Sequence, residues 1–316
     1  GKESNKRISI GVDLMGSDAA PEDLYRAALQ LQEEGLEADV LFFASEEVKG
    51  ELDPKLSIIP SLEVITMDDD PLQAVRRKKE SSLCQGIEYL QDKKIDAFVS
   101  AGNTGALLIA AKTTLKPLPG IDRPALLALL PTKKQPVAVL DVGANVTLKA
   151  EHILQFATMG IAYQKSRGIE SPTVGLLNIG TEAQKGTPQL REAYTKLETM
   201  NRDSIVFVGN VEGKAVFQGD VDVVVTDGFT GNVFLKTAEG VAAFILDQLP
   251  PTTQLASLRY HLNPTDYPGA ILCGVNGIVV KCHGDTSPIA FMNSIKVALR
   301  LVQHRFLEKI SQNLSL

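Results

Sequence analysis

One phrase occurs twice in this chain and constrains its fold more than any other feature. Asp96–Leu107 reads DAFVSAGNTGAL, and Asp222–Lys236 reads DVVVTDGFTGNVFLK. Aligned without gaps, both follow D-x-x-V-[S/T]-x-G-x-T-G. Asp96 matches Asp222, Val99 matches Val225, Gly102 matches Gly228, Thr104 matches Thr230 and Gly105 matches Gly231. In each copy a short apolar run stops at a polar residue, a glycine-bounded turn follows, and a helix-like stretch opens. A buried strand feeding a helix in this way leaves the first helical N–H groups unpaired above the strand end, where an anion is the natural occupant. Gly and Thr also suit strand-to-helix turns for purely local reasons. The length of the shared register favours two related turns facing one site.

The same alternation runs along the chain. Strands are expected at Arg7–Met15, Ala38–Ala44, Leu62–Met67, Phe98–Ala101, Thr173–Ile179, Ile205–Val208, Val223–Val225 and Gly277–His283. Ala125–Leu130 and Pro136–Leu140 read as a hairpin-like pair around Thr132-Lys133-Lys134-Gln135. Helices are expected near Leu24–Leu31, Asn103–Leu115, Ala150–Gln164, Pro188–Met200, Asn232–Leu249 and Pro288–Ser311, with a short one over Thr253–Leu262. Strands alternating with helices imply an α/β fold: a three-layer, doubly wound, mostly parallel sheet with helices on both faces. Such sheets bind ligands outside the strand carboxyl ends. Asp13, Gly102-Asn103-Thr104, Asp141 with Asn145, Asn178 with Lys185, Asn210 with Glu212, Asp227 with Asn232, and Lys281 with His283 all fall there. No composition break marks a linker, so residues 1–316 read as one α/β unit.

Several function classes drop out. A net charge of −6 and a pI near 5.4 argue against a nucleic-acid binder. No apolar stretch is long enough to span a membrane, and the opening GKESNKR has neither a signal-peptide core nor a myristoylation pattern. Three scattered cysteines read as reduced thiols. No G-x-G-x-x-G follows the first strand, no G-x-x-x-x-G-K-[S/T] occurs, and H-E-x-x-H, C-x-x-C and G-x-S-x-G are absent, so no nucleotide cofactor or metal is expected. Cys282 reads as core rather than as a nucleophile. Nests of backbone N–H groups, a few cations and several Asn and Asp residues remain. That set suits a reaction whose nucleophile is a small anion, needing orientation and desolvation more than activation. The basic run Arg76-Arg77-Lys78-Lys79 has two readings, a solvated helix face or a surface for phosphate or an acidic partner.

The phrases GVDLMGSDAAP (11–21), RRKKESS (76–82), SAGNTGA (100–106), GIDRPAL (120–126), LDVGANV (140–146), VGLLNIG (174–180), GNVEGK (209–214), DVVVTDGFTGNVFLKTAEG (222–240) and VKCHG (280–284) together resemble the bacterial phosphate acyltransferases over about residues 7 to 300. That family makes acyl phosphate from acyl-acyl-carrier protein and inorganic phosphate, at the entry to phospholipid synthesis. The resemblance implies an isocitrate/isopropylmalate dehydrogenase-like fold, a cytoplasmic homodimer, no redox cofactor, and peripheral attachment at the inner face of the membrane as an open alternative. It implies that phosphate sits at the turns Gly102, Asn103, Thr104, Gly105 and Gly228, Thr230, Gly231, with Asn145 and Lys281 as further substrate-binding groups. Lys185 is the first candidate for proton handling or charge stabilisation, against the reading of a surface lysine beside a glycine. Asp227, Asn232 and His283 follow as catalytic candidates that orient substrate. Asp13 either caps the following helix or touches substrate. Arg76, Arg77 and Lys78 would receive the acidic carrier protein.

The chain also departs from the family pattern. Ser17 and Ala19 stand where Gly and Asn are usual, and Asp285-Thr286 follows His283-Gly284 in place of Ser-Ser. Val241–Gly274 is a shorter, Pro250-Pro251-broken version of the family's apolar two-helix projection, read as either dimer packing or a membrane tip through Phe244, Ile245, Leu249, Leu255 and Leu258. Alternatives outside the family's activity are a coenzyme A-dependent phosphate acyltransferase, a dehydrogenase on a related fold, and a non-catalytic acyl-chain binding protein.

Overall fold

The computed structural model describes residues 6–52, 57–200, 205–252 and 269–314. The chain divides into two compact units where the sequence suggests one. Residues 1–116 and 275–304 form the first, and residues 117–274 and 305–316 the second. The chain leaves the first unit at Lys116 and re-enters it at Val275, and composition does not change at either crossing.

The first unit contains β1 (Ser9–Asp13), α1 (Pro21–Glu33), β2 (Asp39–Ser45), α2 (Glu46–Glu51), β3 (Ser57–Ser61), α3 (Pro71–Arg77), α4 (Ser82–Gln91), β4 (Ala97–Ser100) and α5 (Thr104–Thr114). The second contains β5 (Ala125–Leu130), β6 (Val137–Leu140), α6 (Ala150–Ser166), β7 (Thr173–Leu177), α7 (Pro188–Thr199), β8 (Val206–Val211), α8 (Gly213–Val216), β9 (Val223–Val225), α9 (Gly228–Gln248) and β10 (Ala270–Cys273). β11 (Ile278–Lys281) and α10 (Pro288–Gln303) complete the first unit, and α11 (Phe306–Leu314) completes the second.

Helix starts follow ordinary chemistry. Pro21, Pro71, Pro188 and Pro288 open α1, α3, α7 and α10, where a missing N–H costs nothing. Side chains of Asp70, Ser81, Asn103, Thr187, Asp227 and Ser287 cap α3, α4, α5, α7, α9 and α10.

In the first unit the strands lie in the order β3-β2-β1-β4-β11 and every pair is parallel. In the second the order is β10-β5-β6-β9-β7-β8. Here β5 runs antiparallel to both β10 and β6, so the expected hairpin forms, while β6, β9, β7 and β8 are parallel. β4, β6, β9 and β11 are buried along their whole length, as strands covered on both faces must be. The strand ends of each unit therefore gather on one edge of its own sheet, apart from β5.

Four expectations need correction. The third strand is Ser57–Ser61, not Leu62–Met67. It holds Pro60, which a strand tolerates at a sheet edge, and β3 is that edge. β10 was not anticipated. The final helix is two helices, parted at Arg305, whose φ of 52° breaks the helical path. β11 stops at Lys281, so His283, expected to end that strand, is exposed past it while Lys281 is buried. The helix expected at Thr253–Leu262, with Leu255 and Leu258, lies outside the described residues.

Candidate active site

In the second unit the chemistry gathers at the carboxyl ends of β6, β9, β7 and β8. Asp141 follows β6 and is fully buried. Its carboxylate accepts five N–H groups: the backbone of Leu126 (3.0 Å), Gly143 (3.1 Å), Ala144 (2.9 Å) and Asn145 (2.9 Å), and the Asn145 side chain (3.0 Å). A carboxylate so saturated builds a loop and has little capacity left for a substrate proton. Asn145, expected to bind substrate, donates its side-chain N–H groups to Asp141 and to Pro124 O (2.7 Å). It belongs to the same scaffold.

The turn after β9 lies flush on that loop. A Cβ on Gly228 would come within 1.9 Å of Asn145 O, and one on Gly231 within 1.9 Å of Asp141 O. Both positions therefore exclude any side chain. Asp227 caps α9, with Oδ1 accepting Thr230 N (2.9 Å) and Oδ2 accepting the Thr230 hydroxyl (2.7 Å). Asn232 donates to Val142 O (3.1 Å) and so ties α9 to the loop after β6. Thr226 was not among the expected site residues. Its hydroxyl is buried with no hydrogen-bond partner among the described residues, an uncommon state for a polar atom.

The loop after β7, the strand next to β9, carries Lys185 with its side chain exposed. Asn178 and Asn210, both buried, hold its backbone from below. Asp141, Asp227 and Asn232 are thus on neighbouring strand ends, with Lys185 one strand further along.

The first unit has its own cluster. Asp13, Ser100 and Lys281 occupy one register across β1, β4 and β11, and all three are buried. Ser100 donates its hydroxyl to Asp13 (2.8 Å) and accepts Gly102 N (3.1 Å), while Met15 N donates to Asp13 (3.0 Å). Burial pushes the Asp13 carboxyl up to about 6, against the hydrogen bonds of Ser82, Met15 and Ser100 and the charge of Lys281. Burial also brings Lys281 down to about 8, against the pull of Cys282, Asp13, Asp18 and Asp285. Its ammonium donates to Cys282 O. Cys282 is buried and its thiol is pushed up to about 11, as expected of a core residue.

At the start of α5, Asn103 caps the helix through Ala106 N (3.1 Å) and donates to Thr66 O and Asp69 O (both 3.1 Å). Its amide locks the loop before α3 in place. Thr104 is exposed at the first helical position, and Gly105 packs on the Pro71 ring. Of the basic run, Arg76 and Arg77 are exposed at the end of α3. Lys78 is not: it bridges Val64 O (2.8 Å) and Asp69 (2.7 Å), and holds that carboxyl below its ordinary range. Lys78 is thus tied into the loop before α3.

Residues 8–309 match the model of the family described as "Fatty acid synthesis protein". The phosphate acyltransferase of Chlamydia pneumoniae is 40% identical over 97% of this chain and 99% of its own length. That of Thermotoga maritima is 38% identical over 98% and 97%. The chain belongs to the phosphate acyltransferase family.

Solved structures agree on the fold. A phosphotransacetylase from Staphylococcus aureus superposes with a TM-score of 0.63 at 18% identity, covering 95% of this chain and 96% of that one. A 4-hydroxythreonine-4-phosphate dehydrogenase from Klebsiella pneumoniae gives 0.57 at 12%, covering 94% and 100%. Like its relatives, this phosphate acyltransferase family member is an acyltransferase that moves an acyl group to phosphate. Among the described residues, no helix is long and apolar enough to cross a membrane, and no cluster of His, Cys, Asp and Glu is arranged to hold a metal.

Proposed function

We propose that the chain transfers a long-chain acyl group from an acyl-carrier-protein thioester to inorganic phosphate, giving the acyl phosphate that enters phospholipid synthesis. The near-full-length identity to phosphate acyltransferases carries this reading. A phosphate oxygen bonds to the thioester carbonyl carbon, the tetrahedral oxyanion collapses, and the carbon–sulfur bond breaks. The proton left on phosphate neutralises the departing thiolate, so the balance needs no redox cofactor. A thiol with a pKa near 8.5 leaves with little acid assistance.

Phosphate is assigned to the start of α5, where Thr104 is exposed at the first helical position and the cap, Asn103, is uncharged. Gly102, Asn103 and Gly105 frame that turn, and Lys281 supplies a cation on the neighbouring strand. Lys185 stabilises the oxyanion or the departing sulfur, while Asp227, Asn232 and His283 orient the reactants. Arg76 and Arg77 receive the acidic carrier protein. The architecture is taken as isocitrate/isopropylmalate dehydrogenase-like. The outer side of α9, where Phe229, Val233, Val241, Phe244 and Ile245 are exposed, is assigned to a second copy in a cytoplasmic homodimer.

The test is release of free thiol from a long-chain acyl-carrier protein, with and without phosphate, beside the matching acyl-coenzyme A. Phosphate-dependent release with a clear preference for the carrier is the expected result. Preference for coenzyme A would reassign the donor. Normal acyl binding without any release would leave only a binding protein.

A further inference from the structure

The loop that carries Lys185 is fastened in an unusual way for an exposed surface turn. Asn178 donates one side-chain N–H to Lys185 O (3.0 Å) and the other to Asn210 Oδ1 (3.1 Å), and its own Oδ1 accepts Ile179 N (2.8 Å). Asn210 in turn donates to Glu182 O (2.9 Å). Lys185 N closes the turn onto the same Glu182 O (3.1 Å). The two amides therefore form one chain of hydrogen bonds joining both ends of the turn 182–185. They stand on adjacent strand ends, since Asn178 N also pairs with Val211 O (3.0 Å). Both amides are 8% exposed, while Glu182 and Lys185 above them are exposed.

Two glycines complete the seat. Gly186 has φ +92°, and a Cβ there would meet Asn178 Oδ1 at 2.6 Å, so its backbone lies directly on the amide. A Cβ on Gly180 would come within 3.1 Å of Lys185 Cγ and 3.3 Å of its Cδ, so the lysine stem rests against Gly180. On the far side Arg191 donates to Gly186 O (2.6 Å). The backbone is held at two carbonyls by buried amides and at a third by the exposed Arg191, while the ammonium stays in solvent. A cation that must meet a developing charge is most effective when its backbone is fixed before the reaction begins.

We infer that Asn178 and Asn210 are positioning residues for Lys185, holding the turn from which its side chain reaches the reacting group. The inference rests on the assignment of Lys185 to the transfer step. Removing either amide breaks the chain of hydrogen bonds that joins Glu182 O to Lys185 O and lets the turn shift, and displacements near 1 Å can cost about 100-fold in rate.

The experiment is a double-mutant cycle on phosphate-dependent thiol release, with kcat and KM measured for N178A, N210A, K185A and the pairs N178A/K185A and N210A/K185A. Each asparagine variant is expected to lower kcat about 10- to 100-fold with the acyl-donor KM nearly unchanged. In the K185A background the same change is expected to cost less than about twofold further. Gly186→Ala, which leaves both amides in place but presses on Asn178, is expected to lower kcat in the same way, and a melting temperature for every variant guards against a folding defect. Wild-type kcat in N178A and N210A with a crippled K185A would overturn the inference, as would losses that simply multiply. An undiminished K185A would overturn the assignment of Lys185 itself, and the inference with it.

Discussion

The turn after β4 and the turn after β9 share a consensus, and in both the glycines are packing positions. Gly105 faces the Pro71 ring, while Gly228 and Gly231 face the carbonyls of Asn145 and Asp141. The caps differ. α5 is capped by the uncharged amide of Asn103, and α9 by the carboxylate of Asp227. A carboxylate at a helix N-terminus already uses the positive end of the helix dipole, whereas an amide leaves it for an external anion. The supporting carboxylates differ too. Asp141, under the second turn, is clasped by five N–H groups. Asp13, beside the first, is buried in one register with Ser100 and Lys281, and burial pushes its carboxyl up to about 6. A repeated strand–turn–helix phrase thus fixes geometry and leaves electrostatics to the residues around it.

The largest test of that contrast is at the two carboxylates. Asp141→Asn turns one of the two carboxylate oxygens into a donor facing N–H groups, and is expected to destabilise by about 3 kcal/mol or more in urea unfolding. A loss below about 1 kcal/mol would mean that the loop is held by other contacts. For Asp13 the sign runs the other way. Its pKa is higher folded than unfolded, so between about pH 4 and 6 the folded state holds more protons and stability falls as pH rises. The span of that fall is about 3 kcal/mol at most. Asp13→Asn is expected to flatten that segment of a stability-against-pH curve. An unchanged slope would show that another group titrates there.

Smaller in effect, Gly231→Ala should cost more than Gly105→Ala. The first puts a methyl on a backbone oxygen and the second on a ring edge at 2.6 Å. We expect about 3 kcal/mol against about 1 kcal/mol in thermal or urea melts. Equal costs would erase the packing difference between the turns. Smallest is charge reversal of Arg76 and Arg77, expected to raise KM for the acyl-carrier substrate about three- to tenfold at low salt, with the effect fading as salt is added. No change in KM would return those arginines to a solvated helix end.

The strand–turn–helix units were legible because short apolar runs, proline starts and Asn or Asp caps are local signals. α5 and α7 fall where those signals place them, while α9 begins at Gly228, four residues before the expected Asn232, so that the Gly228–Gly231 turn is its first turn. What local signals could not carry was lost. β3 hides behind Pro60, and only its place at the sheet edge makes that residue tolerable. The break at Arg305 has no glycine or proline to announce it. Lys78 looked like its exposed neighbours because its partners, Asp69 and Val64 O, come from a loop folded back upon it. Asn145 and Asn103 were correctly seen as strand-end polar groups, yet their donors bind the protein's own carbonyls and the Asp141 carboxylate, which the letters alone do not reveal. The resemblance supplied Lys185. Asn178 and Asn210 stood out as strand-end polar groups, but the hydrogen bonds by which they hold the Lys185 turn join residues up to 32 apart in sequence and leave no local signal.

The most direct measurement is the initial rate of thiol release against phosphate concentration for the wild type, Thr104→Asp and Asp227→Asn. Thr104 is exposed, so the new carboxylate at the start of α5 changes charge with little change in packing. Thr104→Asp is expected to raise KM for phosphate about tenfold or more with kcat within a few-fold, and Asp227→Asn to leave that KM unchanged or lower it. A normal phosphate KM in Thr104→Asp, with a large shift in Asp227→Asn, would place the nucleophile at the other turn and contradict the assignment.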